Sequence, residues 1–174
     1  GRLPSDFMDA NGVPASLVNM GVLGLLSWGY VVVVGAELNG PVLGGILTVI
    51  GFAAFGKHPL NVWPVVAGVV IAALLFGRDL AAPGVILAAL FCTTLAPLAG
   101  SFGPLVGIAA GFLHLLIVLR SGSWHAGIGL YNNGLAGGLT ATLLVAIFEW
   151  REANRPERVT ARRGSYADQG RDRE

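Results

Sequence analysis

Gly127-Ile-Gly-Leu-Tyr-Asn-Asn-Gly-Leu-Ala-Gly-Gly138 decides how the chain is read, because it sets two adjacent asparagines and five glycines inside an otherwise apolar region. A plain membrane-crossing helix does not have this composition. Sliding the sequence so that Asn39 falls on Asn132 lays Asn39-Gly-Pro-Val-Leu-Gly44-Gly45 over Asn132-Asn-Gly-Leu-Ala-Gly137-Gly138 without a gap. Each half thus carries an Asn followed by a Gly-Gly pair, and the chain reads as a duplicated unit. Polar, Gly- or Pro-broken segments at corresponding places of two repeats are the sequence signature of a transporter-type site within the bilayer.

The solvent follows from composition. Of 174 residues, 54% are hydrophobic and 12% charged, a balance far from that of a soluble domain. Between Ala10 and Trp150 the charged side chains are Glu37, Lys57, Arg78, Asp79, Arg120 and Glu149, so the net charge of +1 belongs to the ends. That distribution offers no basic face for nucleic acid. Cys92 is the lone cysteine, set in an apolar run, and reads as a small buried hydrophobe that can form no internal disulfide.

Taken in order, residues 1–16 form an N-terminal segment without signal-peptide character, and the initial Gly1 reads as a processed or cut end. Leu17–Val34 is long enough to span the bilayer, with Gly21, Gly24 and Ser27 along one face as a close-packing stripe. Pro41 suits the first turn of a second helix, Asn39 its N-cap, and Val42–Phe55 is short for a crossing, which leaves open a crossing, a re-entrant or an interfacial piece. Asn61–Phe76 follows, with Trp63 and Pro64 at its entry. Lys57 reads as a connection residue. Pro97, Gly100, Gly103 and Pro104 then divide a long apolar run into spans of about Pro83–Leu98 and Pro104–Leu119. The last apolar helix runs from about Leu135 to Phe148. Residues 17–79 are the first membrane repeat and 80–150 the second. The tail 151–174 has too few apolar residues to fold alone and reads as solvated and disordered. Its arginines predict a cytoplasmic C-terminus.

The fold class expected is therefore an all-α membrane protein of four to six segments. The candidate solute contacts are Asn39, Asn132, Asn133, Tyr131, Thr48, Thr140 and Glu37, whose amide, hydroxyl and carboxylate groups can replace the hydration shell of a small polar solute or ion. For the asparagines helix capping is the competing reading, and for Glu37 a place at the water interface. Gly44, Gly45, Gly137 and Gly138 read as packing surfaces between the repeats. His114, mid-helix in an apolar run, reads as hydrogen-bonded to a neighbouring helix. Trp28, Tyr30, Trp63, Trp124 and Trp150 fit interfacial aromatic belts, and His58 and His125 border membrane segments.

The stretch Leu38–Pro59, with Leu130-Tyr-Asn-Asn-Gly-Leu135, resembles an uncharacterised prokaryotic membrane family, domain of unknown function 1576. The resemblance covers nearly everything up to Trp150 and implies a multispanning protein that can carry more than one copy of the unit. It implies no activity. Gly129-Leu-Tyr-Asn-Asn-Gly-Leu135 is more loosely similar to the Asn-Gly pattern of urea transporters, although the second Asn is extra here and Leu38 stands in the first copy where an aromatic residue would be wanted.

No nucleophile–base arrangement, metal-ligand cluster or phosphate loop is present in the sequence, so no enzyme, metal or cofactor is expected. The expected function is a transporter or channel for a small polar solute or ion, with the lipid bilayer and a second copy, or the other half of a longer chain, as partners. Two rivals stand beside it. One is a non-transporting structural subunit, and the other an intramembrane enzyme using Glu37 and His114.

Overall fold

Proline and glycine punctuate the chain into helices whose ends can be read residue by residue. In the structure, a computed structural model in which residues 6–124 and 131–154 are described, the elements are α1 (Phe7–Asn11), α2 (Val13–Val33), α3 (Gly40–Phe52), α4 (Pro59–Leu75), α5 (Pro83–Phe91), a 3₁₀ turn (Cys92–Leu95), α6 (Ala96–Phe102), α7 (Pro104–Trp124) and α8 (Asn132–Ala153). Among the described residues there is no strand. Prolines sit in the first turn of α2, α3, α4, α5 and α6, where the missing N–H removes no helical bond. Helices α2 and α4 both stop in a glycine with positive φ, Gly35 and Gly77. The next amide reaches back to Val31 O at 3.0 Å in one case and to Ala73 O at 2.7 Å in the other, so the terminal carbonyls are satisfied without water.

Among the described residues, four segments are long and apolar enough to cross a membrane: Val13–Val33, Pro83–Phe102, Pro104–Trp124 and Asn132–Ala153. Helices α3 and α4 are apolar but shorter. The leucines and valines on the outer side of α2, among them Val18, Leu25 and Val33, are exposed and suit lipid contact. This content is consistent with an integral membrane protein.

The chain divides into two compact units, Gly1–Ala141 and Thr142–Glu174. In the first, Gly24 of α2 lies against Ile50 of α3 while Asn19 reaches Ala53, so these two helices run antiparallel. Gly45 of α3 lies on Leu87 and Leu90 of α5, and Lys57, just past α3, reaches Thr93, just past α5, so α3 and α5 run parallel. Leu23, Val42, Ile46, Val49, Ile86 and Leu90 interlock at this junction as a buried cluster. Helices α4 and α7 cross with almost no side chain between them. A Cβ added to Gly68 would run into the Ile108 carbonyl, and one added to Gly111 into that of Val65. Of the expected small-residue stripe on α2, Gly24 packs and Gly21 has nothing within 4 Å. In the second unit, the described residues continue the last helix, and the Asn154 side chain donates to Trp150 O at its end.

Several boundaries differ from the sequence expectation. The run Pro83–Leu98 is not one helix. Pro97 can supply no amide to the Thr93 carbonyl and its ring crowds that oxygen, so the helix tightens into a 3₁₀ turn there. Thr93 and Thr94 hold the turn by donating to Leu90 O and Phe91 O at 2.8 and 2.9 Å. Pro64 lies inside α4 rather than at its entry. Helix α8 starts at Asn132, three residues before the expected Leu135, with the asparagines as its first turn. Residues 127–130 of the opening stretch, His125 and the tail beyond Asn154 lie outside the described residues.

Candidate functional site

The first turns of α3 and α8 border one cleft. It encloses about 700 Å³ and is lined by Pro41, Gly44, Gly45 and Thr48 of α3, by Phe91 and its neighbours on α5, by Val118 and Leu119 of α7, and by Tyr131, Asn132 and Asn133. Both glycines of the first Gly-Gly pair and both asparagines of the second motif thus meet in one space. Gly45 carries the packing, against Leu90, while Gly44 has open space beyond it. Tyr131 closes one side, its ring edge-on to Phe91 at 5.8 Å and laid over Gly134, where an added Cβ would strike the ring.

The remaining candidates divide. Asn39 is the N-cap of α3 and accepts from Val42 N at 3.1 Å, so its side chain serves the helix and does not line the cleft. Thr48 lines the cleft while its hydroxyl donates to Gly44 O at 2.8 Å, leaving the oxygen's lone pairs for a solute. Thr140 is fully buried, donates back to Ala136 O and lies about two turns along α8 from Asn133, outside the cleft lining. Glu37 is exposed in the α2–α3 connection, whereas His114 is completely buried in α7. Gly137 lies near Thr94 and His114, and Gly138 faces open space. One glycine of each pair therefore packs, Gly45 on α5 and Gly137 beside the 3₁₀ turn and α7.

Asn133 does more than line a wall. Its Oδ1 lies 3.3 Å from His114 Nε2, which ties α8 to the middle of α7. With Nε2 donating, the other ring nitrogen is a bare acceptor, and it is buried without a partner. It faces the space left by the missing Cβ of Gly137.

A second polar cluster went unseen in the sequence. Lys57, the only lysine of the chain, is 4% exposed. Its Nζ donates to Thr93 Oγ1 at 2.9 Å and stands 5.0 Å from the centre of the Phe52 ring. The loop that carries it is fixed by amides. Asn19 donates to Ala53 O and Lys57 O at 2.9 and 2.7 Å, and Asn61 donates to Gly56 O and accepts from His58 N. Burial pushes the Lys57 ammonium down to about 8 from its ordinary 10.5. Lys57 is thus no loop-surface cation: positive-φ Gly56 and the start of α4 at Pro59 fold the connection inward onto the broken α5–α6 segment. The legible signal was a single lysine between Gly56 and His58-Pro59 in a body nearly free of charge. Tyr30 also departs from the belt reading. Its hydroxyl is buried without a partner beside a cavity of about 180 Å³ that Trp63 and Thr93 also line, while Trp28, Trp63, Trp124 and Trp150 are all more than half exposed.

Among the described residues no group of His, Cys, Asp and Glu could hold a metal ion. The chain belongs to the family described as protein of unknown function, DUF1576, whose model matches residues 1–150. No curated protein and no solved structure matches it, so the likeness to urea transporters gains no support beyond the residues that suggested it.

Proposed function

We propose that this DUF1576 protein is a transporter or channel for a small polar solute or ion, and that the cleft between α3 and α8 is its binding site. The observation that supports this most is the convergence of two helix starts, one at Pro41 and one at Asn132-Asn133, on one cavity. Helix N-termini carry partial positive charge, which favours an oxygen-bearing or anionic solute. Gly44 lets the solute approach backbone, Thr48 and the asparagines supply acceptors and donors, and Tyr131 provides a wall. The two Asn-led helices act as corresponding parts of a duplicated unit. The ridge of Leu135 and Leu139 left exposed on α8 is where a second copy, or the other half of a longer chain, completes the pathway.

Cysteine placed at Asn132 or Asn133 tests access. Cys92 is fully buried, so the background is low. In intact membranes the new thiols should react with a small aqueous methanethiosulfonate reagent, and proteoliposome flux across a panel of small solutes should fall at least tenfold in Asn133→Leu. Thiols that stay protected, or flux that is indifferent to Asn133, would leave a structural subunit as the better account.

A further inference from the structure

An ammonium group has three N–H donors, and Lys57 spends one on Thr93 Oγ1. That hydroxyl already donates to Leu90 O, so it meets the lysine as an acceptor. Among the described residues the only titratable neighbour that influences Lys57 is the Cys92 thiol, and no carboxylate faces it. The Phe52 ring lies beside it, and the amides of Asn19 and Asn61 point their N–H groups at backbone carbonyls of the loop. A buried cation with no counter-charge is costly unless something supplies one.

Beside Lys57 a hollow of about 390 Å³ opens between the end of α3 and the start of α6, lined otherwise by Phe52, Phe55, Thr94 and Pro97. Phe52 and Phe55 are each about half exposed and form its apolar mouth. One cation at the base of an apolar hollow does not suit a hydrated inorganic anion, which needs several donors. It suits a singly charged head joined to hydrocarbon.

We propose that this hollow is a binding site for an anionic amphiphile, its carboxylate or phosphate head paired with Lys57 and its hydrocarbon lying on Phe52 and Phe55. The site shares no lining residue with the solute cleft and does not depend on it. Two sources share this chemistry, a free fatty acid and an anionic phospholipid.

The test uses the full chain in phosphatidylcholine nanodiscs, with radiolabelled octanoate as the free-acid probe. Phosphatidylglycerol retained through detergent exchange, counted by native mass spectrometry, is the lipid probe. One octanoate per chain, not displaced by octanol, identifies a free acid. One retained phosphatidylglycerol per chain that octanoate displaces identifies a lipid head. Either ligand should bind at least tenfold more weakly to Lys57→Gln. Because Lys57 is the sole lysine, acetylating the folded wild-type protein neutralises the same group and repeats the test should Lys57→Gln fail to fold. The proposal is overturned if neither probe saturates at one per chain, or if binding survives in both Lys57→Gln and the acetylated protein.

Discussion

At the scale of single residues, the charge state of Lys57 has a measurable consequence. Its ammonium is disfavoured in the folded protein, where it loses its proton near pH 8 rather than 10.5. Between those values the unfolded chain holds a proton that the folded chain has released, so stability rises with pH across this window. The gain approaches about 3 kcal/mol if burial alone sets the shift. Unfolding in detergent, followed from pH 7.5 to 10.5, should show wild type gaining stability relative to Lys57→Met as pH rises, a difference in which the titration of groups common to both cancels. A bound anion would reduce that gain by holding the proton on. The His114–Asn133 contact gives a second prediction at this scale. Replacing Asn133 leaves the buried His114 Nε2 unmatched, so a double-mutant cycle of His114→Ala and Asn133→Ala should be non-additive by about 0.5–1.5 kcal/mol. Additive losses would mean that the bond contributes nothing. His114 could be foreseen as bonded to a neighbouring helix because an apolar run leaves an imidazole few other options. Its partner could not, since nothing local to either residue encodes which helices become neighbours.

Helices were legible where their ends are chemical. Asn39 with Pro41 announces the start of α3, Pro104 that of α7, and Gly77 the end of α4, because capping and φ restrictions act within a few residues. The 3₁₀ turn at Cys92–Leu95 was equally local, written in Thr93, Thr94 and Pro97, but the apolar run around it hid the break. Glycine roles were less readable, because a missing Cβ matters only against a partner. Gly21, Gly68 and Gly111 look alike in sequence and differ wholly in surroundings. Gly111→Ala and Gly68→Ala should each destabilise by about 1–3 kcal/mol or more, since the new methyl meets backbone that cannot rotate away. Gly24→Ala should cost less because it meets only the flexible end of Ile50, and Gly21→Ala should be within about 0.5 kcal/mol of wild type. Unfolding of the four variants in one detergent ranks them, and a loss at Gly21 equal to that at Gly111 would contradict the crossing of α4 and α7.

For the molecule as a whole, the all-helical membrane class was written in composition, whereas the count of crossings was not, because α3 and α4 fall between the lengths that span and those that turn back. Packing directions within Gly1–Ala141 bear on this. Helix α3 runs antiparallel to α2. The start of α4 lies beside the later part of α2, with Pro59, Val62 and Trp63 around one cavity with Leu23, Ser27 and Tyr30, and α4 ends in the Gly77 turn that leads to α5, itself parallel to α3. Helices α3 and α4 are therefore an out-and-back pair. At 1.5 Å per residue the 13 residues of α3 reach roughly 20 Å, short of the roughly 30 Å of hydrocarbon. The loop that ends at Lys57 follows α3, and its polar groups are satisfied within protein by Asn19, Asn61 and Thr93. Such a hairpin returns the chain to the side it left, whether or not its tip reaches water. Cysteines replacing Glu37 and Asp79 should accordingly be labelled from the same face of sealed vesicles, and a cysteine replacing Asp6 from the opposite face, since Phe7 is bonded to Ala54 at the hairpin tip. Labelling of Glu37→Cys and Asp79→Cys from opposite faces would show that α3 and α4 do not return together and would break apart the cleft built on α3.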